Sequence, residues 1–126
     1  CRGILLVLER GEPGRKYNIG GGGERTNLQV IDALCQALET LRPAAGNPAL
    51  GSPRSYDALR TFVADRPGHD RRYAIDASRV RTELGWAPRH TFEAGLRQTA
   101  QWYVEHRDWC GRVSEGRYDR QRLGLV

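Results

Sequence analysis

No Cys-x-x-Cys pair occurs in this sequence, and its three cysteines, Cys1, Cys35 and Cys110, are odd in number and far apart. That argues against a disulfide framework and against a zinc site, both of which need clustered thiols. No apolar run approaches the roughly 20 residues that cross a bilayer, and no signal-peptide pattern opens the chain. A reducing, cytoplasmic setting without a membrane partner is the expectation. Lysine occurs once, at Lys16, so the formal charge of +5 rests on arginine. The arginines are scattered from Arg2 to Arg122 among acids, with no dense basic run. This favours a solvated surface with one local anion site over a nucleic-acid face. There is no Gly-x-Ser-x-Gly elbow, no cysteine placed beside a histidine, and no metal-ligand companion for His90 or His106. Neither a catalytic residue nor a metal site is legible, and there are no internal repeats.

Methionine is missing altogether, and the chain opens inside an apolar pattern. Residues 1–11 read as the later turns of an amphipathic helix stopped by Gly11, without the Ser, Thr, Asp or Asn that normally caps a helix start. A truncated helix, and hence a chain cut from a longer protein, is the simplest account. With 126 residues and 39% hydrophobic content, the remainder suits a single folded region and does not argue disorder.

Lys16 to Ile19 has strand character and runs into the glycines at 20–23. Thr26 and Gln29 then have the spacing of a capping box, and Leu28, Ile31, Leu34, Cys35, Leu38 and Leu41 recur on one helical face until Arg42-Pro43. On that face Cys35 reads as a small buried hydrophobe. Residues 43–60, rich in Pro, Gly, Ala and Ser, read as a mobile surface loop. Strand-like pieces are expected at 61–63 and 72–75. Asp76 is placed to cap a helix through Leu84, closed by Gly85. Thr91 caps another that puts Phe92, Leu96, Ala100 and Tyr103 on one face. Trp86, Trp102 and Trp109 read as packing residues rather than a stacking platform. Residues 111–126 read as a polar tail.

Two places invite chemistry. The glycine run follows a strand and precedes a helix, the context of a phosphate loop. However, Gly20-x-Gly22-x-x-Arg25 has arginine where a third glycine would be needed, and no acid follows at the end of a second strand. A dinucleotide site is therefore rejected. The second place is the Pro67-Gly68 turn, which projects Arg66 and His69 from a loop. A guanidinium there suits a phosphate, through two parallel charge-assisted hydrogen bonds. An ion pair of Arg66 with Asp65, Asp70 or another nearby acid is an equal alternative. Asn18, at the end of its strand, either serves a turn backbone or contacts a ligand.

Asp65-Arg66-Pro67-Gly68-His69-Asp70-Arg71-Arg72-Tyr73 resembles the C-terminal substrate loop of dTDP-glucose 4,6-dehydratases, members of the extended short-chain dehydrogenase/reductase (SDR) superfamily. Tyr17-Asn18-Ile19-Gly20-Gly21 and Glu83-Leu84-Gly85-Trp86-Ala87-Pro88 agree in the same order, as do Thr91 to Leu96 and Trp102-Tyr103. The resemblance runs from Cys1 to about Tyr118. The first and second of these shorter blocks are common in the superfamily; the Arg-Pro-Gly-His block is far more specific.

The resemblance implies an α/β protein, of which this chain is the small C-terminal α+β substrate-binding lobe, the Rossmann domain being mostly absent. It implies substrate-binding roles for Asn18, Asp65, Arg66, Pro67, Gly68 and His69, with Arg66 on the nucleotide diphosphate and His69 beside the nucleotide. Arg71 and Arg72 are expected to hold the loop through neighbouring acids, although Arg71 could face the ligand. The reaction implied is oxidation of the sugar at C4 by NAD, loss of water across C5 and C6, and return of the hydride to C6, in deoxysugar (rhamnose) biosynthesis. NAD would be bound by an N-terminal domain missing here. Neither its glycine loop nor a Tyr-x-x-x-Lys pair is present, since Lys16 has Glu12 four residues before it. No catalytic or cofactor-binding residue is therefore expected in this chain, which should be inactive alone.

The parent would be a homodimer acting on a dTDP-sugar. Some members carry a substrate-contacting tyrosine near the C-terminus; this chain instead ends Arg120-Gln121-Arg122-Leu123-Gly124-Leu125-Val126. Another nucleotide-sugar epimerase, decarboxylase or dehydratase, a stand-alone nucleotide-binding module, and, third, a nucleic-acid binder are the alternatives.

Overall fold

A computed structural model of the chain describes residues 1–52 and 55–115. Two residues of the 43–60 loop and the tail from residue 116 onward, including Tyr118 and the final heptapeptide, lie outside the described residues. The elements are α1 (Arg2–Arg10), α2 (Asn27–Leu41), three short 3-10 turns (Ala44–Gly46, Pro48–Leu50 and Asp57–Leu59), α3 (Ser78–Leu84), α4 (Phe92–Glu105) and α5 (Arg107–Ser114).

The local signals act where they were read. Thr26 Oγ1 accepts from the Gln29 N–H at 3.2 Å while Gln29 Oε1 accepts from the Thr26 N–H at 2.8 Å, so the box that starts α2 is complete. Thr91 Oγ1 accepts from the Ala94 N–H at 3.2 Å and starts α4. Gly85 ends α3 with φ 68°, a left-handed conformation that only glycine adopts without strain. Asp76 acts one residue further out than expected. The N-cap of α3 is Ala77, yet Asp76 Oδ1 accepts from the Ser78 N–H at 2.8 Å.

Two packing centres result. α3 lies against α1, and its Ala77, Val80 and Leu84 form a buried cluster covered by Leu6, Val7, Tyr17 and Trp86. Val80 is fully buried. Arg15 Nη1 donates to Glu83 Oε1 at 2.6 Å and the Tyr17 hydroxyl to Glu83 Oε2 at 3.0 Å, tying the turn after α1 to α3. Burial pushes the Glu83 carboxyl up, but these two donors outweigh it and hold the group below its ordinary value. α2 packs on α4, each contributing one buried alanine, Ala37 and Ala100, and α5 packs on the end of α4.

Several expectations need correction. Among the described residues no strand is assigned, so the α+β lobe forms through its helices alone. A strand needs a main-chain ladder, and the segments expected to pair meet otherwise. Asn18 Nδ2 donates to the Asp76 carbonyl at 3.2 Å, and a Cβ on Gly20 would lie 3.2 Å from the Ile75 Cβ. The stretches around 18–20 and 75–76 thus touch through side chains. Phe62, Val63, Tyr73 and Ile75 stay exposed.

The 43–60 loop is anchored. Glu39 accepts from the Ala44 N–H, the Tyr56 hydroxyl donates to the Arg42 carbonyl at 2.7 Å, and Arg60 pairs with Asp32 and Asp57. α5 carries helix to Ser114, four residues into the expected polar tail. Cys35 is half-buried, and Tyr103 is exposed, edge-on to Trp102 at 5.1 Å. Among the described residues no helix is long and apolar enough to cross a membrane.

Candidate functional site

The residues from 61 to 77 carry no regular secondary structure, so their shape depends on side chains. Asp65 does most of the folding. Its Oδ1 accepts from the Arg66 main-chain N–H at 2.8 Å and meets His69 Nδ1 at 2.6 Å. Pro67 presets one bend, and Gly68 at φ 69° supplies the reversal that lets residue 69 return to residue 65. A second clasp follows, in which the Tyr73 hydroxyl donates to Asp70 Oδ2 at 2.6 Å. The loop is then fastened across the molecule. Arg72 Nε donates to Glu24 Oε2 at 3.0 Å, and its Nη2 reaches the same oxygen.

Asp65 is engaged by His69 and by main chain, and Asp70 by Tyr73, and among the described residues no ion pair joins Arg66 to either acid. The Arg66 guanidinium makes no hydrogen bond or ion pair among the described residues, and the residue is exposed at the turn. The Asp65 carboxyl is held below its ordinary value, chiefly by the His69 hydrogen bond and next by the Arg66 N–H.

Between this loop and the segment entering α2 lies an open cleft of about 870 Å³. One wall is residues 24–29. The other is Asp65, His69, Asp70, Arg71, Arg72 and Tyr73. The volume falls within the range of small-molecule sites. Arg71 lines the cleft without a hydrogen bond or ion pair among the described residues, whereas Arg72 is spent on Glu24. The loop-holding role expected of both arginines therefore belongs to Arg72, through an acid 48 residues away in sequence.

Of the six predicted substrate-binding residues, Asp65 and His69 line the cleft. Arg66, Pro67 and Gly68 form the adjoining turn and do not line it. Asn18 lies apart, bonded to the Asp76 carbonyl. The 24–29 wall was missed. Its sequence signal, the capping box, marked a helix start and carried no hint of what would face it.

The glycine segment does not fit a dinucleotide. The N–H groups of Thr26 and Gln29 are consumed by the capping box, and Arg25 is held over the Phe92 ring at 5.4 Å and on Glu93 Oε1 at 3.0 Å. Among the described residues no group of His, Cys, Asp or Glu is placed to hold a metal ion.

Comparison with known proteins gives consistent neighbours. The family model described as GDP-mannose 4,6 dehydratase matches residues 1–99. A dTDP-glucose 4,6-dehydratase of Xanthomonas campestris is 45% identical over the whole chain and 34% of its own length. One from Neisseria meningitidis is 48% identical over 98% of the chain, and one from Haemophilus influenzae 52% identical over 79%. The structure of a dTDP-glucose 4,6-dehydratase from Bacillus anthracis, in complex with NAD, superposes with a TM-score of 0.64. It is 38% identical, and the match covers 86% of this chain and 30% of that one. The chain spans about a third of the length of the curated relatives it matches.

Proposed function

The chain belongs to the GDP-mannose 4,6 dehydratase family, and from that premise we propose that it is the nucleotide-sugar-binding portion of an NAD-dependent dTDP-glucose 4,6-dehydratase. The intact enzyme would be a cytoplasmic homodimer of deoxysugar (rhamnose) biosynthesis. The observation that carries this reading is the loop at 65–73. Its own acids are occupied by its own donors, which leaves the Arg66 guanidinium on the turn and Arg71 in the cleft for an external anion. A nucleoside diphosphate is such an anion, and the cleft beside the turn has room for its base and sugar.

Arg66 engages the diphosphate, His69 and the 24–29 wall meet the nucleoside, and Asn18 contributes from the far end of the 75–76 stretch. NAD, present in the Bacillus anthracis relative's complex, finds no fitting residues among those described and would belong to the intact enzyme outside them. The chain supplies binding and orientation. The acid–base pair for dehydration would lie elsewhere in the intact enzyme, and by itself the chain should not turn over dTDP-glucose.

Calorimetric titration of dTDP into the 126-residue chain and its Arg66→Ala variant tests the reading. A charge-assisted arginine–phosphate contact is worth about 1.5–3 kcal/mol, so the variant should bind roughly ten- to a hundredfold more weakly. Equal affinities would remove Arg66 from the site. A preference for UDP over dTDP would move the parent to another nucleotide-sugar enzyme.

A further inference from the structure

Asp65 and His69 form an interaction that the anion-binding role does not explain. Both lie on the wall of the cleft, with the Asp65 side chain largely exposed and the His69 side chain two-thirds covered. Exposed pairs of this kind add little to stability, so the consequence of the contact lies in what it does to the ring. A neutral imidazole carries one proton, and the bond made by one nitrogen decides the role of the other. At 2.6 Å from a carboxylate oxygen, His69 Nδ1 has to be the protonated nitrogen, because two lone pairs would otherwise face each other. Nε2 is then left with an unshared pair.

We propose that Asp65 is a positioning residue that fixes His69 as the Nδ1–H tautomer, so that Nε2 meets the ligand as an acceptor and selects a hydrogen-bond donor, a sugar hydroxyl or the imide N–H of a pyrimidine, over a phosphate oxygen. The inference rests on the nucleotide-sugar reading of the cleft. It separates the two halves of the loop by chemistry, Arg66 taking the anion and His69 a neutral donor. It also moves Asp65 out of direct ligand contact, since its Oδ1 is already shared between the ring and the Arg66 main chain.

Other charges in this loop and on the facing wall do not compete for the ring. Asp70 is bonded to Tyr73, Arg72 to Glu24 and Arg25 to Glu93, and Arg71 has no bond to it. The Asp65 carboxyl lies below its ordinary value, so the anion that the clamp requires is present throughout the neutral range.

The test is long-range ¹⁵N–¹H NMR of the histidine side chains in the ligand-free 126-residue chain at neutral pH. His69 should show a protonated Nδ1 and an unprotonated Nε2. In Asp65→Ala the population should move toward Nε2–H, the tautomer free histidine prefers. Asp65→Asn, which keeps an acceptor for the Arg66 N–H, should give a mixture. Wild-type His69 found as Nε2–H would overturn the proposal without any variant having to fold, and so would an unchanged tautomer in Asp65→Ala.

Titration with dTDP and with inorganic pyrophosphate then tests the selection. Asp65→Ala should weaken dTDP binding by about three- to tenfold more than it weakens pyrophosphate binding, the scale of one neutral hydrogen bond, since any slackening of the Arg66 turn is felt by both probes. Equal losses for both probes, or no loss for either, would overturn the donor-selecting role. Failure of the wild type to bind dTDP would strike the nucleotide-sugar reading and the selection with it, while the tautomer result would be decided separately.

Discussion

The quarter of the molecule around α3 and the loop at 65–73 are adjacent in sequence and opposite in construction. Around α3, Val80 and Leu84 are buried under Leu6, Val7, Tyr17 and Trp86, and helical main chain satisfies its own polar groups. In the loop nothing is buried, and shape comes from three side-chain clasps, Asp65 with His69, Asp70 with Tyr73 and Arg72 with Glu24. One region is held by area removed from water, the other by hydrogen-bond geometry in water. Stability and binding should therefore be separable by mutation. A loop whose acids are committed internally can present a bare arginine without destabilising the fold beneath it.

Substitutions on each side should divide accordingly. The largest effect is expected from Arg66→Ala on binding, a roughly ten- to hundredfold loss with an unchanged melting temperature, since its exposed guanidinium makes no hydrogen bond or ion pair among the described residues. A drop in melting temperature would mean that the loop and the core are coupled. Val80→Ala should do the reverse, costing about 1.5–3 kcal/mol in urea unfolding for the lost burial and the cavity left behind, while the His69 tautomer stays fixed. Thr26→Ala removes the N-cap of α2 and should cost about 1 kcal/mol. Because Thr26 also lines the cleft, a small fall in dTDP affinity is expected with it.

The smallest effect is on pH dependence. Asp65, Asp76, Glu83 and Glu93 all lie below their ordinary values, Asp76 mainly through the Ser78 N–H and Glu93 through its own main-chain N–H and Arg25. Groups depressed in the folded state contribute stability that is present above the ordinary carboxylate range and lost as pH falls through the lowered values. The melting temperature should therefore hold from neutral pH to about 5 and fall below about pH 4. A loss between pH 7 and 5 would contradict this account of the carboxylates.

The helices were legible because their signals are local. Thr26 with Gln29, Thr91 and Gly85 each act within one turn, and the structure bears out each of them. What depends on distant partners was not legible. Residues 16–19, 61–63 and 72–75 have strand composition, but no ladder forms among the described residues. Pairing is a property of two segments, and the contact made instead runs through Asn18 and Gly20. α5 escaped because Gly111 sits inside it. For the site, the turn at Pro67-Gly68 and the exposure of Arg66 on it followed from residue type, while His69 was singled out through the resemblance of its motif. The facing wall did not, because it meets the loop through a contact between Arg72 and Glu24, 48 residues apart in sequence.

The most direct test of the account is amide chemical-shift mapping of the ¹⁵N-labelled chain during titration with dTDP. Binding at this site predicts saturable shifts confined to residues 24–29 and 65–73, with the amides of α3 unmoved. Shifts centred on the glycine segment and the start of α4, or no saturable shift at all, would contradict the assignment of the 65–73 loop as a nucleotide-sugar site.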